Sequence, residues 1–398
     1  MEAVGSRLGA RPLALLLWIL AAGLVGWTAA RGFEGPDRRL DARPIVLAGH
    51  AWLSGESPYV SETYSRLWQA ELHGPRPDAF VFAYPPNAAL VLAPLALGGV
   101  SLGLVLLDVL NVACFALALF FCMRLAGDGV SPEWRSAARA GALALCASCG
   151  ALSGTLLIGQ TSLWVLAAVL WLWWSGPSAV PRALDVFAVA LLAMKPSLTL
   201  PVLCFLAVLR PLPVVFAAAL SLVTCVVVAL WTDGGALPAE WLRALASYSA
   251  TPANQPALLA SAQHLFTGLP APSLPAFGAL MGAFLGFTAR KAPRDSLDEP
   301  WLAVLALALA CSPAHEYDLV LAAPLAAFLV RARPAAWPWY VAGVVAVARP
   351  AALARITARL GLGEAGELER LISALATVLL AGGTLVHVVS KTPWLRVP

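Results

Sequence analysis

Apolar residues run through this chain in long blocks, separated by short intervals rich in proline, glycine or charge. The blocks cover 12–30, 85–97, 101–123, 140–158, 163–174, 183–209 and 211–231, and they resume after residue 273. Later blocks at 317–331, 336–348 and 371–390 complete the series. Blocks of this length and uniformity predict membrane-spanning helices, since ~20 apolar residues cross a ~30 Å hydrocarbon core. Counting 183–209 as one kinked crossing gives about twelve helices with both termini cytoplasmic, one integral-membrane domain over 1–398. Arg7 and Arg11 ahead of the first block put the N-terminus inside. Residues 31–80 then form an external loop, and 232–273 a second polar segment.

The interruptions are the informative part. In the first loop, Asp41 through Tyr59 reads DARPIVLAGHAWLSGESPY, with Ile45, Ala48 and Trp52 on one helical face. That spacing predicts an interfacial helix lying on the bilayer surface. Further along, Gly159-Gln160 breaks one apolar pattern and Lys195-Pro196 another. Proline removes a ladder hydrogen bond, so backbone groups are freed beside the lysine. Gly278, Gly282 and Gly286 recur every fourth residue and predict close helix packing.

Composition agrees with this frame. Of 398 residues 60% are hydrophobic and 12% charged, with a mean hydropathy of +0.79. A net charge of +4 dispersed over short loops orients a membrane protein and excludes a nucleic-acid-binding surface. All seven cysteines fall in apolar segments and read as small core residues, the Cys146-x-x-Cys149 spacing included.

Several polar residues are placed for chemistry. Asp41, at the head of the external helix, suits a general base, against the plainer reading of a capping carboxylate. Asp37 is its rival, four residues earlier. Asp108, three residues from Asn111 inside an apolar block, is either a functional charge or a helix-to-helix hydrogen bonder. Lys195 calls for an anion: a substrate phosphate, or a partner such as Asp108, unless it snorkels. His315 stands three residues before Asp318 in the segment Ser312-Pro313-Ala314-His315-Glu316-Tyr317-Asp318.

Taken in order, Asp41 to Gly55, Pro58-Tyr59, Tyr84-Pro85-Pro86 with Pro94, Gly159-Gln160, Lys195-Pro196, Asn254-Gln255 and Ser312-Pro313 to Tyr317-Asp318 resemble one family. It is the bacterial polyprenyl-phosphate-mannose-dependent α-mannosyltransferases, family 87 of the glycosyltransferase C superfamily. Two positions depart from its pattern: Ser197 stands where glutamine usually follows Lys-Pro, and Pro256 where serine follows Asn-Gln. The resemblance implies a glycosyltransferase C-like all-α fold in the plasma membrane, with the active site on the external face. It implies transfer of a hexose, mannose by analogy, from a polyprenyl-phosphate-linked donor to a glycolipid or glycan hydroxyl, by inverting displacement. Asp41 would be the base. Lys195 and His315 would bind the donor phosphate, and Tyr84, Gln160, Asn254, Gln255 and Asp318 would contact substrate. The leaving phosphate is already a stable anion and the loop lacks an Asp-x-Asp pair, so no metal or other cofactor is expected. Two other functions remain open: a transporter or flippase of lipid-linked sugars using Asp108 and Lys195, and a non-catalytic membrane assembly subunit.

Overall fold

The computed structural model describes residues 2–34, 38–73, 81–178, 180–232, 236–250, 273–290, 297–311 and 316–332, with a few positions between 358 and 387. Among them there is no strand. The first helix, α1 (Glu2–Phe33), is followed by α2 (Ala42–Leu53) and α3 (Ser61–Leu72). A 3-10 turn at Pro86–Ala88 leads into the short α4 (Ala89–Leu95), then α5 (Val100–Gly127), α6 (Pro132–Ser148) and α7 (Gly150–Ile158). Next come α8 (Ser162–Ser175), α9 (Ala183–Ala193), α10 (Pro196–Leu209), α11 (Pro211–Thr232) and α12 (Leu237–Ala250). After α13 (Ser273–Ala289) and α14 (Asp298–Cys311), a 3-10 turn at Glu316–Leu321 opens α15 (Ala322–Ala332).

Three stretches, Arg11–Phe33, Val100–Gly127 and Pro211–Thr232, are long and apolar enough to cross a membrane, with 23, 28 and 22 residues. At 1.5 Å per residue even the shortest spans ~33 Å. Their outward side chains are apolar: Leu15, Leu16 and Ile19 of α1 and Val215, Leu222 and Leu230 of α11 are each more than half exposed. A soluble protein would not leave so continuous a surface in water, so this is an all-α membrane protein. The pair α6 and α7, bent by 52°, makes a fourth crossing if taken as one. Length alone therefore marks three or four spans among the described residues, fewer than the sequence blocks predicted. Breaks at Cys149, Gly159-Gln160 and Lys195-Pro196 divide the apolar runs into helices too short to cross singly. The block at 85–97 yields only a ten-residue helical segment, Pro86–Leu95. The blocks at 336–348 and 371–390 lie almost wholly outside the described residues.

The interior is built on α8 and α14. Residues 162–170 of α8 and 300–309 of α14 are buried, and Trp173 stacks on Trp301 at 6.0 Å and 7°. The glycine stripe does what its spacing predicted. A side-chain carbon at Gly278, Gly282 or Gly286 would overlap Cys311, the Pro201 carbonyl or the Phe205 carbonyl, so α13 rests directly on α10 and α14.

The helix after Asp41 departs from expectation. A surface helix buries one face, but α2 buries Ala42, Pro44 through Gly49, Ala51 and Trp52, hence nearly its whole circumference. It is enclosed by α3, α4 and α5. Reading Ile45, Ala48 and Trp52 as a stripe missed that Val46 and Leu47 are equally buried, both at 0% exposure. The segment is an internal strut, and Asp41 stands at its head.

Candidate active site

Asp41 occupies the N-cap position of α2, yet its side chain makes no capping bond. A capping role therefore does not account for the carboxylate. Its Oδ2 instead accepts a 2.7 Å hydrogen bond from Nε2 of Gln160. The backbone makes this meeting specific: the Arg39 N–H donates to the Leu157 carbonyl at 2.7 Å and the Asp41 N–H to the Ile158 carbonyl at 2.9 Å. The chain before α2 is thus stitched to the end of α7. Gly159 makes the approach possible, since it closes α7 at φ +76° and any side-chain carbon there would overlap Ala42.

Gln160 is buried at 6% exposure and uses both ends of its amide. Its Oε1 accepts from the Tyr84 hydroxyl at 2.8 Å, and that hydroxyl also lies 2.9 Å from Thr161 Oγ1. Tyr84 is fixed in turn: its ring stacks on Phe82 at 5.5 Å, and the Tyr59 hydroxyl donates to its carbonyl at 2.7 Å. Burial raises the Tyr84 hydroxyl above the ordinary tyrosine range, an effect that the nearby Lys195 charge opposes. The phenol stays protonated and donates. Tyr84, Gln160 and Asp41 form one directed chain of hydrogen bonds.

Lys195 sits at the break between α9 and α10. Pro196 has no N–H to offer the Leu192 carbonyl, and Thr199 Oγ1 donates to it instead at 2.7 Å. The break is thereby satisfied and the lysine aimed inward. Its Nζ donates to Asp318 Oδ1 at 3.0 Å and Ser162 Oγ at 2.8 Å, and Ser162 Oγ donates to the same Asp318 oxygen at 2.6 Å. With 11% and 5% of their side chains exposed, Lys195 and Asp318 are a buried pair in which each charge compensates the other. The ammonium also stands 5.9 Å from the centre of the Tyr84 ring.

The carboxylate chain and the lysine triangle are thus one cluster, joined by Tyr84 and by the consecutive residues Gln160, Thr161 and Ser162. Of the residues singled out in the sequence, Asp41, Tyr84, Gln160, Lys195 and Asp318 come together here. Asp318 is the counterion of Lys195, a more specific position than general substrate contact. His315, Asn254, Gln255 and Asp37 lie outside the described residues. Asp108 does not pair with Lys195, nor does Asn111 hydrogen-bond it. Its Oδ2 is held by Arg39 at 2.6 Å and by Arg38 at 3.3 Å, while both polar atoms of Asn111 lack a hydrogen-bond partner among the described residues.

Three members of the cluster went unrecognised in the sequence. Ser162 and Thr161 follow Gln160 directly, and adjacency to that break was the available signal. Tyr248, on the face of α12 that carries Trp241 and the buried Ala244, lies in the field of Lys195, Asp318 and Asp41, and burial pushes its hydroxyl up to about 12. Among the described residues no group of three or more His, Cys, Asp or Glu gathers as a metal site.

The model of glycosyltransferase family 87 matches residues 82–313, more than half of the chain. The chain belongs to glycosyltransferase family 87. The matched region holds Tyr84, Gln160, Lys195, Asn254 and Gln255, while Asp41, His315 and Asp318 fall outside it. A relative from Mycobacterium tuberculosis, a polyprenol-phosphate-mannose-dependent alpha-(1-2)-phosphatidylinositol mannoside mannosyltransferase, is 37% identical over 93 residues. That match covers 23% of this chain and 20% of the relative, so it spans about a fifth of the relative's length. No solved structure matches this family 87 chain.

Proposed function

We propose that this protein transfers a hexose, mannose in the simplest case, from a polyprenyl-phosphate carrier to a hydroxyl of a membrane glycolipid. The observation that carries the reading is the joining of the Asp41 carboxylate and the Lys195 ammonium in one buried polar cluster. Asp41 takes the proton of the acceptor hydroxyl, whose oxygen attacks the anomeric carbon. The carbon–oxygen bond to phosphate breaks on the opposite side and its electron pair leaves with polyprenyl phosphate, inverting the anomeric centre. Charge develops on that phosphate in the transition state, and Lys195 is the cation on hand to meet it. Gln160 orients the base, and Tyr84 orients Gln160. Asp318 and Ser162 hold Lys195 and keep it charged in a dry site. His315 is the second donor to the phosphate, while Asn254 and Gln255 contact substrate.

Support for the donor and acceptor comes from family membership and from the relative's dependence on polyprenol-phosphate-mannose. The external face of the plasma membrane is supported by Arg7 and Arg11, which precede the long apolar stretch within α1. On this reading the shorter apolar helices combine into kinked crossings of a glycosyltransferase C frame of about twelve helices.

The test is transfer of labelled mannose from synthetic polyprenyl-phosphate-mannose into a bacterial lipid extract by the purified protein. A labelled glycolipid is the expected product. Movement of intact donor across a vesicle bilayer without such a product would replace the transferase by a transporter.

A further inference from the structure

Asp108 is a partly buried carboxylate on α5 that the proposed reaction does not use, and its surroundings give it a task. Its Oδ2 receives Nε and Nη2 of Arg39 at 3.0 and 2.6 Å, with Arg38 Nη2 at 3.3 Å. Arg39 bears more than a charge. At φ +62° it is one of two non-glycine residues in the left-handed region among the described residues. An L side chain disfavours that conformation, so something must hold it. Three contacts do: the N–H bond to Leu157, the Arg43 N–H donating to its carbonyl at 3.2 Å, and the guanidinium gripped by Asp108. The turn so fixed ends two residues later at Asp41.

We infer that Asp108 is a positioning residue for the base, clamping Arg39 so that the turn into α2 presents the Asp41 carboxylate to Gln160. The inference rests on Asp41 acting as the base, but the clamp is measurable without turnover. Asp108 has 12% of its side chain exposed and Arg39 26%, so the pair lies away from bulk solvent and is weakly screened.

The experiment uses the full chain in detergent, with Asp108→Asn, Arg39→Gly, the charge-swapped double variant Asp108→Arg with Arg39→Asp, and Asp128→Asn as control. Asp128 is the exposed residue following α5. Arg39→Gly is the discriminating variant, because glycine adopts φ +62° freely but removes the two closer bonds to Asp108, leaving only Arg38 at 3.3 Å. Hydrogen exchange over 38–47 should quicken in Asp108→Asn and Arg39→Gly, while Asp128→Asn stays as wild type. In the transfer assay both variants should lose about 10-fold in kcat with donor KM within about twofold, as a misplaced base requires. The swapped pair should recover part of that loss. Unchanged exchange and kcat in Asp108→Asn overturn the inference. So does a lowered melting temperature with unchanged kcat per folded molecule, or a swapped pair no better than the worse single variant. Absence of transfer by wild type would instead reject the proposed reaction, and exchange alone would then decide on the clamp.

Discussion

Gln160 Nε2 lies 2.7 Å from Asp41 Oδ2 although 119 residues separate the two in sequence. The contact joins the head of an internal helix to the break between two others, and it links the carboxylate to the rest of the polar cluster. Asp41 is aimed through the amide, the amide through Tyr84, and Lys195 lies over the Tyr84 ring.

Replacing Gln160 by leucine removes the donor while keeping most of the volume. A hydrogen bond to a charged group contributes about 1.5–3 kcal/mol, so kcat should fall roughly 10- to 100-fold. Donor affinity, measured by equilibrium binding, should stay near that of wild type. A variant that binds donor poorly and turns over normally would put Gln160 in the donor pocket instead.

Tyr84→Phe keeps the ring beneath Lys195 and deletes the hydroxyl. Because the bond lost is neutral, the expected fall in kcat is smaller, about 3- to 10-fold. Burial raises the hydroxyl above the usual 10, so the protonated form is favoured in the folded protein and ionisation begins only at more alkaline pH. The pH–rate profiles of wild type and Tyr84→Phe should therefore coincide in shape from neutral pH to about 9. A limb near neutral pH lost in Tyr84→Phe would contradict this.

Asp318→Asn strands the Lys195 ammonium in a site where it has 11% exposure. Breaking one side of a buried pair costs about 3–5 kcal/mol, so the single variant should melt well below wild type. Adding Lys195→Met removes the orphan charge and should restore much of the stability. It should not restore donor binding. Thermal unfolding and donor titration on the same samples separate the two effects.

Gly159→Ala forces a side chain into the left-handed region and against Ala42. Backbone strain of this kind costs of order 1–3 kcal/mol. Both melting temperature and kcat should fall, since the obstruction lies where the Asp41 segment meets α7. A variant as stable and active as wild type would show that the two segments need not touch.

Much of this site was legible because each break in an apolar run has a local chemical cause. Gly159-Gln160 and Lys195-Pro196 are polar or helix-breaking pairs where hydropathy demands neither, and the structure brings both to the same buried polar cluster. The glycine stripe at 278–286 carried its packing partner's closeness in its spacing. The burial of α2 was not legible, because in a membrane protein the lipid-facing and protein-facing sides of a helix are equally apolar and periodicity fades. Nor was the partner of Asp108, a matter of which distant helix lies opposite. Lys195 and Arg39 are equally plausible cations on paper, and only the packing of α5 against the start of α2 decides between them. Ser162 and Tyr248 are common residue types that gain meaning from Lys195 beside them.

The central claim is that Asp41 is the base of a sugar transfer, and single-turnover transfer from polyprenyl-phosphate-mannose by wild type and Asp41→Asn tests it most directly. Donor binding should be measured in parallel. Asparagine keeps the shape and can still hydrogen-bond Gln160 but cannot accept the acceptor's proton. The account predicts a loss of at least about 100-fold in the transfer rate with donor binding retained. Transfer by Asp41→Asn at the wild-type rate would contradict it and make Asp37 the next carboxylate to replace.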